Sequence, residues 1–356
     1  MGTFRREGRG NAAERSATPV RTAGTSRGKV RGAAAARRWF ALAEDTVQTH
    51  RPRLDRINVY PVADSDTGAN MLATIRSSRA ALDHAPGDDL GKLLSAAGEQ
   101  AMGSAYGNSG TLLAVLISGF AEPLQGHDRL TVTVLSRGLQ RASLRGWSAL
   151  SNPVNGTMLS VLDAARDEAA RCAAAAEEPE SRAVLEAAMA PVVQAARAAV
   201  VRTERQLDEL SRAGVVDSGG LGLLMVLAAL AATVRGSEVD HSIFDGLAGW
   251  ERQEGQETRP ASSSPDEAAE LKGGVELMCT VRLDPLGAAS LRHRLDELGE
   301  SVIITPIGAD PAPDGTLRWR IHVHTAAPEA TLSAVQQAGS LESSTSTPLT
   351  GHGTHS

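Results

Sequence analysis

Apolar residues recur three or four positions apart through the central part of the chain, from Trp39 to Arg235. The segments RWFALAEDTVQTHRPRL, NMLATIRSSRAAL, GTLLAVLISGFAEPL and GLGLLMVLAALAATV all show this spacing, which is the period of an α-helix. The alternation that is typical of strands is nearly absent from the same region. Because alanine-rich helices can pack closely, the pattern predicts an all-helical domain over residues 39–235.

The pattern changes after Gly236. Residues 236–272 are predicted to form a linker, because ERQEGQETRPASSSPDEAAE is polar and has no period. Beyond it, GGVELMCTVRL, SVIITPIG and LRWRIHVHTA are typical of strands, while PLGAASLRHRLDELGE and PEATLSAVQQAG are typical of helices. This order predicts a small α+β domain over residues 273–340. Residues 341–356 lack core-forming side chains and are predicted to be a disordered tail.

Composition and charge narrow the function classes. The first 38 residues hold ten Lys and Arg against two Glu, which predicts a disordered basic arm over residues 1–38. The formal net charge of −6 does not favour nucleic-acid binding by the folded part. With two cysteines, no apolar leader and no apolar run long enough to span a bilayer, we expect a cytoplasmic protein without an integral membrane segment.

The stretch NVYPVADSDTGANM, residues 58–71, carries two carboxylates two positions apart, Asp64 and Asp66, before an apolar run. A calcium EF-hand loop beginning at Asp64 is excluded, because its fifth, sixth and twelfth positions lack the required residue types. An aspartyl-phosphate phosphatase motif is disfavoured, since Pro61 interrupts the strand that should precede it. Two interpretations stay open: the pair holds Mg²⁺ against nucleotide phosphates, or it caps a helix.

Three further segments place small, flexible residues before an apolar helix: GNSGTLL from Gly107, NGTML from Asn155 and DSGGLGLL from Asp217. Such helix N-termini offer free N–H groups and a positive dipole end, which together bind phosphate. None of the three lysines lies in a G-x-x-x-x-G-K-[ST] loop, so a P-loop is excluded. The pattern therefore indicates an Mg-nucleotide site at one end of a helical bundle.

In the order NVYPVADSDTGANM, GSAYGNSG, NPVNGTML and VVDSGGLGLL, these motifs resemble a known helical ATP-binding domain. That domain is shared by the L subunit of dihydroxyacetone kinases and the ATP-binding subunit of bacterial fatty acid kinases, which this chain resembles more. The resemblance implies a mainly α fold: an eight-helix antiparallel barrel of the dihydroxyacetone kinase L-subunit type, followed by the small α+β domain. It implies ATP and Mg²⁺ as cofactors. It also implies phosphoryl transfer to an acyl carboxylate on a fatty acid carrier protein, or to a small hydroxyketone, and a homodimer is a further expectation.

Carried onto this sequence, the resemblance gives Asp64 and Asp66 as Mg²⁺ ligands with a catalytic role, and Asn58 as an additional Mg²⁺ ligand. It implies a nucleotide-binding set in the four motifs: Thr67, Gly68, Asn70, Gly107, Asn108, Ser109, Gly110, Gly156, Thr157, Asp217, Gly219 and Gly220. The strands MCTV and HVHT resemble the middle domain of fatty acid kinases, and this implies Zn²⁺ bound by Cys279, His322 and His324. From the strand pattern alone, the two histidines lie on a polar, solvated face and Cys279 lies in the apolar phase.

The sequence departs from the family pattern in three respects. Ser65 replaces a glycine between the aspartates, and Tyr106 stands where an arginine is expected. The ATP-binding subunits of fatty acid kinases continue into another domain beyond the position of Ser356, so we expect a chain truncated at its C-terminus. Because an arginine beside the phosphates stabilises transition-state charge, a second function stays open: a non-catalytic nucleotide-binding regulator or scaffold.

Overall fold

The computed structural model describes residues 32–251, 274–308 and 310–349, and these are mainly helical. The helices of the first domain are α1 Gly32–Arg56, α2 Thr67–His84, α3 Leu90–Ser104, α4 Gly107–Ala121, α5 Val132–Ala149, α6 Met158–Ala174, α7 Arg182–Thr203, α8 Asp208–Ala213 and α9 Ser218–Arg235.

Eight of these helices are long, and within the described ranges they close into a ring. Each packs on the next from α1 to α7, α7 packs on α9, and α9 returns to α1. Short connections make consecutive helices antiparallel, so the structure confirms the predicted eight-helix antiparallel barrel. Helices α7 and α9 are long and apolar enough to cross a membrane by length and composition, but 89% of α9 is buried inside the protein. A core helix of a barrel has this character.

Two predicted boundaries of the helical domain are wrong. Helix α1 begins at Gly32, so residues 32–38 belong to the barrel and not to the basic arm; residues 1–31 lie outside the described part. Residues 236–251 are not a linker, because Phe244, Leu247 and Trp250 are buried in the barrel core. This segment contains a short 3₁₀ helix, His241–Phe244, and has no regular period that the sequence pattern could reveal. Residues 252–273 lie outside the described residues.

The second domain follows the order β1 Val275–Leu283, α10 Pro285–Leu298, β2 Glu300–Ile307, β3 Leu317–Thr325, α11 Pro328–Ala338 and β4 Ser340–Pro348. Its strands form an antiparallel sheet in the order β2-β3-β1-β4. Strand β4 contradicts the predicted disordered tail as far as residue 348. It is an exposed edge strand made largely of Ser and Thr, and it therefore lacks the apolar alternation that identifies a strand. Residues 350–356 lie outside the described part.

The two faces of this sheet meet different neighbours. One face packs its apolar side chains against α10 and α11. The other face meets the barrel, where Ile303 is buried with Met102, Ala105 and Val115. The backbones also touch, since the Ser151 N–H donates to the Val302 carbonyl at 3.1 Å. The second domain therefore lies against the barrel end at which α4 begins.

Candidate functional site

The loop between α1 and α2 carries the aspartate pair, and neither aspartate caps the helix. Asp66 occupies the N-cap position of α2 but makes no side-chain capping hydrogen bond. Asp55, from the last turn of α1, accepts hydrogen bonds from the N–H groups of Gly68 at 2.7 Å and Ala69 at 3.2 Å. The capping interpretation of Asp64 and Asp66 is therefore wrong. No local sequence pattern marks Asp55, which reaches α2 only once the two helices pack.

Asp64 and Asp66 border a cavity at the rim of the barrel. The residues of the predicted site that line this cavity are Asn58, Asp64, Asp66, Thr67, Gly107, Asn108 and Ser109. Burial, together with the negative charge of Asp66, raises the pKa of Asp64 to about 7, although Asn58 Nδ2 donates to Asp64 Oδ1 at 2.6 Å. The carboxylates of Asp64 and Asp66 and the amide oxygen of Asn58 are hard oxygen ligands of the kind that Mg²⁺ prefers, so these three residues fit the ion.

Several helix N-termini converge beside the aspartates. The Ser218 hydroxyl, at the start of α9, donates to Thr67 Oγ1 at 3.1 Å, at the start of α2. Thr67 Oγ1 lies 3.5 Å from Ser109 Oγ, in the first turn of α4. A Cβ added to Gly219 would lie 3.2 Å from Met158 Cε, at the start of α6. Four positive helix ends therefore meet at one end of the barrel, which is an arrangement that favours an anionic ligand.

Part of the predicted nucleotide set does not line the cavity. These residues are Gly68, Asn70, Gly110, Gly156, Thr157, Asp217, Gly219 and Gly220. Gly110 allows α4 to approach α2, since a Cβ there would lie 2.9 Å from Thr74 Oγ1. Asp217 caps α9 by accepting from the Gly220 N–H at 2.6 Å. A contact of these residues with nucleotide stays a prediction.

The predicted zinc set does not converge. The β1–β3 register places Cys279 opposite Ile321, and Met278 opposite His322. Directly opposed residues share a face of the sheet and successive residues alternate, so the histidines and Cys279 lie on opposite faces. Cys279 is fully buried in the apolar cluster under α10 and α11. The assignment of Zn²⁺ to Cys279, His322 and His324 is therefore wrong.

The alternative expectation, a solvated strand face, is wrong as well. Arg320, His322 and His324 are 6%, 0% and 3% exposed, because this face is covered by the barrel. Burial, together with His322, lowers the pKa of His324 to about 3, so this imidazole is neutral. Glu276 is a neighbour that the sequence pattern did not reveal. Its Oε1 accepts from the Gly107 N–H at 2.7 Å and lies 3.1 Å from His322 Nδ1.

Comparison with known proteins gives two family matches. The DAK2 domain matches residues 61–232, and the FakA-like middle domain of fatty acid kinases matches residues 274–353. Protein YloV of Bacillus subtilis is 29% identical over 292 residues, which is 81% of this chain and 50% of YloV. An uncharacterized protein of Staphylococcus saprophyticus is 32% identical over 193 residues, which is 54% of this chain and 34% of that protein. The chain thus spans half or less of these curated relatives.

Among solved structures, the dihydroxyacetone kinase from C. freundii in complex with AMP-PNP and Mg²⁺ is similar to the chain with a TM-score of 0.43. The two sequences are 21% identical in a match that covers 64% of this chain and 38% of the kinase.

Proposed function

Since the chain carries a DAK2 domain followed by a FakA-like middle domain of the fatty acid kinase type, we propose that it is an ATP-binding kinase subunit that transfers the γ-phosphoryl group of ATP. One observation carries the proposal. Asp64 and Asp66 border the same cavity as the first turn of α4, while Asp55 alone provides the cap of α2. The absence of a capping hydrogen bond from Asp66 and the position of both aspartates beside the start of α4 support a role of the pair in binding an Mg-nucleotide.

The proposed roles follow from the chemistry of the lining residues. Asp64 and Asp66 would hold Mg²⁺, and Asn58 orients Asp64 through its amide. When bound, the ion neutralises phosphate charge, which is the main requirement of phosphoryl transfer. The N–H groups of Asn108 and Ser109, at the start of α4, would donate to phosphate oxygens. An oxygen of the acceptor would attack the γ-phosphorus as the bond to ADP breaks, so no side chain has to act as a nucleophile.

A fatty acyl carboxylate presented by a carrier protein is the acceptor that we favour, because the second domain matches the fatty acid kinase type. A small hydroxyketone is the alternative acceptor. The chain covers 50% of YloV, so the carrier protein and the acceptor are both proposed here for this chain.

A second candidate is a nucleotide-binding regulator without catalysis. The described residues that line the cavity include three carboxylates, of Asp64, Asp66 and Glu276, but no lysine or arginine. Tyr106, at the position where the resemblance predicts an arginine, is 46% exposed. Neutralisation of phosphate charge would then depend on the metal ion and on helix dipoles, which favours binding over fast transfer.

The test is calorimetric titration of the full chain with a non-hydrolysable ATP analogue and Mg²⁺. We expect Asp64→Asn and Asp66→Asn to weaken binding by about tenfold or more, since each removes a charged metal ligand. Asp55→Asn is the matched control: it keeps an oxygen that can cap α2 and should bind within about twofold of wild type. A wild-type chain that binds no nucleotide would refute the proposal.

The acceptor is tested separately, by ATP turnover with carrier proteins loaded with fatty acid and with dihydroxyacetone as the comparison substrate. Turnover with the loaded carrier supports the kinase. Nucleotide binding without turnover on either acceptor supports the regulator.

A further inference from the structure

The second domain builds the cavity wall that faces the aspartates. Glu276, His324 and Thr347 line this wall, and they come from three strands, β1, β3 and β4. The sheet face that carries them also buries Arg320 and His322. Charged and polar groups are costly to bury without partners. The buried groups of this face therefore need polar partners, which apolar packing against the barrel does not provide.

Two side chains of this face hold one turn of the barrel. The turn joins α3 to α4 over residues 105–107. The Gly107 N–H donates to Glu276 Oε1 at 2.7 Å, and Arg320 Nη2 donates to the Ala105 carbonyl at 3.3 Å. Gly107 has a φ of +63°, and a Cβ there would lie 2.1 Å from Asn70 Nδ2, so the turn has a left-handed backbone that needs glycine. Both ends of a conformationally demanding turn are thus fixed by the second domain.

The two side chains are themselves fixed. Glu276 Oε1 lies 3.1 Å from His322 Nδ1, and Arg320 Nη1 donates to Thr280 Oγ1 at 3.2 Å. Burial favours the neutral acid, but the hydrogen bond and charge of His322 and the hydrogen bond from the Gly107 N–H together outweigh it and lower the pKa of Glu276 below its usual value. The carboxylate is therefore ionised and makes a charge-assisted bond to the turn.

Unpartnered polar atoms on the same face indicate that a ligand belongs beside it. In the part of the chain that the structure describes, His324 Nδ1, His322 Nε2 and Arg320 Nε are buried without a hydrogen-bond partner. His324 is only 3% exposed, yet it borders the cavity next to the first turn of α4. Buried orphan polar groups of this kind usually have a partner that the protein alone does not supply.

We propose that Glu276 and Arg320 are positioning residues of the nucleotide site. By fixing the turn at residues 105–107, they orient the N–H groups of Asn108 and Ser109 toward the nucleotide phosphates, so the second domain sets the nucleotide affinity of the barrel. This inference rests on the proposed function. In this inference Glu276 positions the turn and does not compete with phosphate, because its carboxylate accepts from the Gly107 N–H and leaves the N–H groups of Asn108 and Ser109 to the ligand.

The experiment is calorimetric titration of full-length variants with the same ATP analogue and Mg²⁺. We expect Glu276→Ala to weaken nucleotide binding about tenfold, and Glu276→Gln about threefold, because glutamine keeps an oxygen acceptor but loses the charge. Arg320→Ala should weaken binding to a similar degree as Glu276→Ala. Arg318→Ala is the matched control: Arg318 is on the same strand, is half-exposed and pairs with Glu342 at 2.7 Å, so affinity should stay at the wild-type value.

A second readout separates positioning from a general loss of structure. Binding of Mn²⁺ alone, at Asp64 and Asp66, should persist in the Glu276, Arg320 and Arg318 variants, because those ligands lie on a different loop. If Glu276→Ala fails to fold, the threefold effect of Glu276→Gln against the unchanged Arg318→Ala decides.

The outcomes distinguish this inference from the proposed function. If the wild-type chain binds nucleotide and the Glu276 and Arg320 variants bind it with the same affinity, the positioning role is overturned and the proposed nucleotide site stands. Tighter binding in Glu276→Ala also overturns it, because the carboxylate would then compete with phosphate. A wild-type chain that binds no nucleotide overturns the proposed function, and the positioning role falls with it.

Discussion

Asp217 is expected to make the stability of the barrel depend on pH. Its side chain is 5% exposed and accepts from the Gly220 N–H at 2.6 Å. Burial raises the pKa of Asp217 to about 7, although the N–H groups of Gly220 and Met158 oppose the rise. Because the pKa in the folded state exceeds that of the unfolded chain, the folded protein binds more protons between pH 4 and pH 7. The free energy of unfolding should therefore fall as pH rises through that window.

The size of the effect follows from the same values. A rise of the pKa from 3.8 to about 7 corresponds to about 4 kcal/mol of destabilisation when Asp217 is ionised. Asp217→Asn removes this cost and keeps a capping oxygen, but it buries an amide group without a partner, at about 1–3 kcal/mol. We expect the variant to be more stable than wild type by about 1–3 kcal/mol at pH 8, and less stable by about 1–2 kcal/mol near pH 4.

Urea unfolding of both proteins at a series of pH values from 4 to 8 measures the difference. Asp89→Asn is the matched control, because Asp89 caps α3 by accepting from the Lys92 N–H but is only partly buried. Burial raises the pKa of Asp89, but the N–H groups of Lys92 and Gly126, together with the charge of Lys92, outweigh it and lower the pKa. The stabilisation from Asp89 is therefore lost as pH falls, which is the opposite sign. A difference between Asp217→Asn and wild type that stays constant from pH 4 to pH 8 would refute the raised pKa.

Two further predictions test the corrected boundaries and the sheet register. Trp250→Ala should lower the free energy of unfolding by about 3–5 kcal/mol, because the ring is 1% exposed and packs on Phe244. Leu286→Ala is the control, since Leu286 is 76% exposed. A loss below about 1 kcal/mol in Trp250→Ala would contradict the assignment of residues 236–251 to the core. Burial raises the pKa of the Cys279 thiol to about 11. A thiol reagent should therefore label Cys172 in the native protein and Cys279 only in denaturant. Rapid labelling of both cysteines in the native protein would contradict the β1–β3 register.

The barrel could be predicted from the sequence because its signals are local. Each long helix carries its own apolar period, and the starts of α2, α4, α6 and α9 carry flexible residues that favour a helix N-terminus. Antiparallel packing of a closed ring then brings these starts to one end. The Asp64–Asp66 loop lies between two such helices, so its place at the rim follows from the same reasoning.

The rest depends on contacts between distant parts of the chain. The alternation in β3 separates Arg320, His322 and His324 from the apolar phase, but it does not say whether water or protein covers the polar face. Asp55 can accept the hydrogen bond from the Gly68 N–H, at the start of α2, only after α1 has packed against α2. Glu276 reaches Gly107 across 169 positions of sequence, and no periodicity encodes such a pairing.

The strand order has a consequence for the way the protein is made. Strand β1 is flanked by β3 and β4, so its outer edge stays open until the ribosome has delivered Ser340–Pro348. Domains emerge and fold from the N-terminal side first, and an unpaired strand edge can recruit the wrong neighbour while it waits. Thr347 and Pro348 border the cavity that also contains Asp64. The cavity that Asp64 borders in the barrel is therefore completed only after strand β4 has been added to the sheet.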